Sequence, residues 1–175
     1  MKWLVALVAM LAPAAARAEV VSAGPNGFEI RHAVQVVIPQ PATFEAFTRI
    51  SEWWNAEHTY SGKSSNLSLS LTPGGCFCEA LPGGGGIEHL RVAYVAPGER
   101  LVLTGALGPL LYQAATGVMD IKVERIAGGS RLTLDYKVAG FANGGADKLA
   151  PVVDQVLGDQ MARFRKYAAE MPRTR

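Results

Sequence analysis

The stretch "DKLAPVVDQVLGDQMARFRKY", Asp147–Tyr167, decides the fold. Leu149, Val152, Val153, Val156, Leu157, Met161, Phe164 and Tyr167 recur every three or four residues, which puts them in one apolar stripe along a helix. Asp147 is a plausible N-cap. Pro151 then falls in the first turn, where amide hydrogens have no intrahelical partner. A helix this long, apolar along one side only, has to lie across another surface.

The preceding residues supply that surface as a sheet. "SRLTLDYKVAGF" (Ser130–Phe141) and "GVMDIKVERI" (Gly117–Ile126), joined by "AGG", form a hairpin in which Leu132, Leu134, Tyr136 and Val138 share one face. Further back, "RLVLTGAL", "IEHLRVAYV" and "CFCEALP" alternate with the turn signals "APGE" and "GGGG". "NLSLSLT" (Asn66–Thr72) alternates strictly, with Leu67, Leu69 and Leu71 on one face, as a half-buried strand does. "FEIRHAVQVVI" (Phe28–Ile38) is β-branched and ends at Pro39. Between it and the meander, "PATFEAFTRISEWW" carries Phe44, Phe47 and Ile50 at helical spacing behind Pro41. The order is strand, short helix, about six antiparallel strands and a long helix, an α+β pattern. No internal repeat or linker interrupts it.

The chain has 175 residues with a net charge of +2. It opens with Lys2, the apolar run "WLVALVAMLAPAAA" and the small-x-small triplet "ARA". This three-part pattern predicts a secretory signal peptide over residues 1–18, cut after Ala18, and a secreted or periplasmic product. The run is short for a transmembrane helix, which needs roughly 20 apolar residues. No stable membrane insertion is therefore expected after cleavage, and residues 19–175 make one domain. The basic residues are scattered, apart from Arg163, Arg165, Lys166 and Arg173 near the C-terminus. Nothing resembles the dense basic face of a nucleic-acid binder. Two cysteines do not make a disulfide scaffold. In an extended strand the α-carbons of Cys76 and Cys78 lie roughly 6.5–7 Å apart, at the limit for a bridge, so free thiols or at most a strained bond are expected.

Three groups of residues carry chemistry. "EWWNAEHTYSG" (Glu52–Gly62) crowds Trp53, Trp54, Asn55, His58 and Tyr60 together, either as an aromatic pocket rim with polar groups or as a loop packed on a core tryptophan. In the hairpin over 76–95, a loop at Gly83–Gly86 makes Glu79 face Leu90. Glu88, Phe77, Leu81, Val92 and Tyr94 then share that face, while Cys76, Cys78, His89 and Arg91 take the other. Two carboxylates on an apolar face are candidate acids or bases, and the alternative is a solvated strand end or pairing with Arg91. His58, Cys76, Cys78 and His89 have zinc-ligand chemistry but not zinc-site spacing, and no metal is assigned. "GALGPL" (Gly105–Leu110) breaks its strand and reads as a bend or a lid over a cavity mouth. Phosphate-loop, dinucleotide, GxSxG and HExxH signatures are missing from the sequence.

Across nearly all of residues 19–175 the chain resembles the SRPBCC superfamily, the START-like or helix-grip proteins that include the birch-pollen-allergen fold, polyketide cyclases and heat-shock ATPase activator-like domains. The resemblance is carried by "PATFEAFTRISEWW", "LTPGGCF", "VAYVAPGERLVLTG" and "LAPVVDQVLGDQMARF". "EWWNAEHTYSG", "GGCFCE", "IEHLRV" and "GALGPL" resemble an exported bacterial subgroup. The resemblance implies a strongly curved antiparallel sheet wrapped around the C-terminal helix, with an apolar cavity between them. One fold hosts carriers, cyclases and regulators, so it implies no single chemistry. The expected ligand is an apolar small molecule or lipid, held by Trp53, Trp54, His58, Tyr60, Glu79, Leu90, Val92, Tyr94, Tyr136, Val153 and Leu157, with no cofactor. The alternative is a cyclase- or hydrolase-like enzyme using Glu79, Glu88 or His58 as general acid or base.

Overall fold

A computed structural model describes residues 17–171. Most of the expected signal peptide, residues 1–16, lies outside the described residues, as does Arg173. Eight strands form one antiparallel sheet in the order β1-β2-β8-β7-β6-β5-β4-β3. They are β1 (Arg17–Gly24), β2 (Gly27–Val36), β3 (Leu67–Leu69), β4 (Cys76–Ala80), β5 (Gly86–Ala96), β6 (Arg100–Gly105), β7 (Ala114–Ile126) and β8 (Gly129–Phe141). Two short helices, α1 (Gln40–Thr48) and α2 (Ile50–Trp53), follow β2, and the long helix α3 (Ala150–Glu170) closes the chain. This is the α+β helix-grip architecture.

The period-two pattern sets the inner face. Leu132, Leu134, Tyr136 and Val138 of β8 are all buried, beside Phe28, Ile30, Val34 and Val36 of β2. Leu157, Met161, Phe164 and Ala168 of α3 are buried against this face and against α1 and α2. Phe164 sits between Phe47 and Trp53, with ring centroids 5.6 and 5.4 Å away. Helix α1 is fastened by a buried hydroxyl pair. Thr43 Oγ1 lies 2.6 Å from Ser130 Oγ, which donates to the Ile38 carbonyl at 3.0 Å, so neither hydroxyl is left unpaired.

Four local expectations are corrected. Strand β1 precedes the first strand read from the sequence, and it begins at Arg17 and Ala18, opposite Ala33 and His32, inside the expected leader. The "NLSLSLT" strand stops at Leu69, because Ser70 N–H bonds to Cys76 O and Gly75 N–H to Thr72 O, closing a turn that leaves Leu71 exposed. Asp147 lies in a single 3-10 turn, Ala146–Lys148, ahead of α3, whose N-cap is Leu149 without a side-chain bond. Pro151 does occupy the first turn. Finally, Cys76 and Cys78 are joined by a disulfide, with α-carbons 5.3 Å apart. That spacing is shorter than a fully extended strand gives and lies within bridging range.

Candidate functional site

A cavity of about 430 Å³ opens between the N-terminal half of α3, the segment from Trp54 to Tyr60 and the loop from Leu107 to Gln113. The apolar stripe of α3 divides here. Its C-terminal half fills the core, whereas Leu149, Val152, Val153, Val156 and Leu157 face the cavity. Trp54 and Phe77 form the opposite wall, with their rings edge-on at 5.6 Å. Leu107, Pro109, Leu110 and Tyr112 cover the side where "GALGPL" breaks the sheet. Gly105 ends β6 at φ 138, and the buried Tyr136 holds the departing loop. Its hydroxyl accepts from Leu107 N–H at 3.2 Å and lies 3.4 Å from Gly105 O. Burial pushes the Tyr136 phenol up to about 12.

Two anchors hold the tryptophan-rich segment over the cavity. At its start, Asn55 N–H donates to Gln160 Oε1 at 2.9 Å and the Asn55 amide donates to Asp159 Oδ2 at 2.8 Å, tying the chain to α3. Gln160 is wholly buried. Since its oxygen accepts from a backbone amide, its nitrogen is the donor to His58 Nδ1, 2.7 Å away. At the far end the buried Glu79 carboxylate accepts from Tyr60 N–H at 3.1 Å and from Ser61 N–H. Glu79 Oε2 also lies 3.0 Å from His89 Nε2. The Tyr60 hydroxyl then donates to Gly108 O at 3.0 Å, joining this segment to the facing loop.

His89 reaches the interior by a β-bulge. Cys78 opposes Glu88 and Phe77 opposes Leu90, so His89 is one residue too many on β5. Both His89 and Leu90 are consequently buried. A second irregularity between Val92 and Tyr94 turns Tyr94 outward. The alternation expected for this hairpin is thereby overturned. Glu79 opposes Ile87 rather than Leu90. Glu88 is on the outer face, paired with Arg91, so it is no cavity acid, and Tyr94 is half-exposed beneath the Arg100 guanidinium.

Of the residues expected to bind ligand, Trp54, His58, Tyr60, Val153 and Leu157 line the cavity. Trp53 does not, because its position in α2 turns the ring onto Phe47 and Phe164, and its indole N–H donates to Phe47 O at 3.0 Å. Leu90 and Val92 are sheet core, Tyr136 stands behind the wall, and Glu79 sits behind Tyr60 and His89. Of the other wall residues, strand alternation puts His89 on the opposite face, whereas Phe77 falls on the apolar face and the loop after Leu107 follows the strand break at "GALGPL". Among the described residues no three metal-binding side chains gather. The two cysteines bond each other, and His58 and His89 have the partners just given.

The ionisation states follow from these contacts. Burial opposes the charge on Glu79, but hydrogen bonds from Ser61, Tyr60 and His89 outweigh it and hold the carboxyl below its ordinary range. Burial pushes His89 down despite Glu79, and pushes His32 down despite Asp154, whose Oδ1 lies 2.9 Å from His32 Nε2. Both imidazoles are thus neutral in the fold through a range where the unfolded chain protonates, below about pH 6.5. The unfolded state then binds more protons, so stability falls as pH drops through that value. The Glu79 contribution is fully present above about pH 4.3 and is lost only in stronger acid. Urea midpoints are expected to be lower at pH 5 than at pH 7. The His32→Gln/His89→Gln chain should show a smaller difference, and an equal difference would contradict this assignment.

No protein-family model matches the chain, and no curated protein matches it. The fold does match solved structures. An uncharacterized protein from Rhizobium leguminosarum is 15% identical over 90% of this chain and 99% of its own, with a TM-score of 0.61. A protein from Mesorhizobium loti is 13% identical over 82% of this chain and 98% of its own, with a TM-score of 0.58. DynU16, from the dynemicin biosynthetic locus, is 20% identical over 79% of this chain and 46% of its own, with a TM-score of 0.56. At these identities the likeness is one of fold, the helix grip described above.

Proposed function

We propose that the chain is an exported carrier that binds one apolar small molecule or lipid between the sheet and α3. The cavity carries this reading: about 430 Å³, walled by Trp54, Phe77, Leu110, Val153, Val156 and Leu157, with a few polar groups among them. That volume and lining are those of small-molecule sites, where apolar burial drives binding and sparse polar groups set orientation. The leader pattern of residues 1–18 supports export. Native mass spectrometry of protein purified from its own compartment is the test, and the expected result is one apolar molecule per chain. Val153→Trp, which fills the cavity from α3, is expected to weaken retention by at least about tenfold while the chain still folds. Equal retention in both chains would overturn the reading. A cyclase- or hydrolase-like catalyst is the second reading, supported by the Glu79–His89 pair at the wall.

A further inference from the structure

The two cysteines of the chain stand one residue apart on β4 and bond each other. Alternation along β4 sends Phe77 inward to the cavity wall and turns Cys76 and Cys78 to the outer face of the sheet, whereas α1, α2 and α3 pack on the inner one. Both cysteines are half-buried, and their cross-strand neighbours Ser68, Glu88 and Arg91 are exposed. A small molecule reaches this face without displacing any part of the core. The bond itself does little to hold the fold. A cross-link stabilises chiefly by closing a loop in the unfolded chain, and the gain grows with loop length. Here a single residue lies inside the loop, and β4 is already held by ladders to β3 and β5. Charge makes the two sulfurs unequal. Arg91 is the cross-strand partner of Cys76, and Glu88 that of Cys78. The Arg91 guanidinium donates to Gly74 O at 2.8 Å and to the Glu88 carboxylate, which holds it over the outer face along the pair. A neighbouring cation favours a thiolate, and the thiol of lower pKa is the better leaving group. Cys76 is placed to be that group.

We propose that Cys76–Cys78 is a thiol–disulfide exchange site whose substrate is a low-molecular-weight thiol. The thiolate of that molecule attacks Cys78 Sγ and forms a mixed disulfide. The Cys76–Cys78 bond breaks, and its electron pair leaves on Cys76 Sγ beside Arg91. A second thiolate attacks the small-molecule sulfur of the mixed disulfide, and Cys78 Sγ departs and takes a proton from water. Two small thiols are thereby oxidised to one disulfide while the protein pair is reduced to a dithiol, and the reverse sequence reoxidises it. Arg91 acts through Cys76 and is a positioning residue. The site faces away from the cavity and stands apart from the carrier reading.

Glutathione is the probe. The purified chain is held, without denaturant, in mixtures of reduced and oxidised glutathione, its thiols are capped with N-ethylmaleimide, and the products are weighed by mass spectrometry. The dithiol fraction is expected to follow the ratio of the two glutathione forms, with the far-ultraviolet circular dichroism unchanged. Thiolate absorbance of the reduced protein should then show one thiol titrating below the ordinary cysteine value of about 8.5. Arg91→Leu is expected to raise that titration by about one pH unit, and Arg91→Lys to restore it, a readout that a merely structural arginine would not move. A pair that stays oxidised in reduced glutathione alone would overturn the inference. So would loss of the sheet on reduction, which would make the bond structural. The same titration in Arg91→Leu and wild type would overturn the role given to Arg91.

Discussion

The Glu79→Ala chain is expected to lose about 3–5 kcal/mol of folding stability, because three hydrogen-bond donors packed around its carboxylate lose their acceptor. The carboxylate is 1% exposed and serves Tyr60 N–H, Ser61 N–H and His89 Nε2. An alanine leaves all three donors facing a methyl group, and each buried unsatisfied donor costs about 1–3 kcal/mol. The damage should also be local. The segment from His58 to Lys63 loses the anchor at its far end but keeps Asn55 and Gln160 at its start. Urea unfolding measures the global loss, and faster proteolysis within this segment measures the local one. A midpoint close to wild type, with unchanged proteolysis, would mean that Glu79 is no anchor.

Phe164→Ala is expected to cost a similar amount, about 3–5 kcal/mol, for a different reason. The ring is fully buried and wedged between Phe47 and Trp53, where α3 meets both short helices. Its removal deletes apolar contact and leaves a cavity that the helix backbone cannot close. Because Trp53 leans on this ring, its fluorescence should shift to the red in the folded variant. Unchanged emission together with wild-type stability would place Trp53 in some other environment and reopen the rim assignment for it.

The parts of the molecule legible in the sequence are those where a period persists. Leu132, Leu134, Tyr136 and Val138 alternate through β8, and the α3 stripe runs unbroken from Leu149 to Tyr167, so both faces were readable. The chemistry was harder to read because it depends on a broken period. One extra residue at His89 exchanges the two faces of β5, bringing the histidine in and sending Glu88 out. Strand alternation contains no term for such a bulge. The cysteines look too far apart only because fully extended spacing is assumed for β4, and their α-carbons are 5.3 Å apart. Trp53 and Trp54 were indistinguishable as neighbours until α2 set them on different sides, one toward Phe164 and the other toward Phe77. The strand break at "GALGPL", by contrast, announced a change of direction through its own small residues and proline, and its loop does border the cavity.

The strand order also dictates when this chain can fold. β3 through β8 follow one another as simple hairpins, but β2 pairs with β8, which lies on the order of a hundred residues downstream. Helix α3, which covers the same inner face, comes later still. During synthesis Phe28, Ile30, Phe44 and Phe47 therefore wait without their native partners until almost the whole chain is available. Long-range closure of this kind slows folding and leaves apolar surface open to aggregation in the interval. A chain built this way becomes folded late and nearly all at once, because the hairpin of β1 and β2 has to wait for β8 and α3 before its inner face is covered.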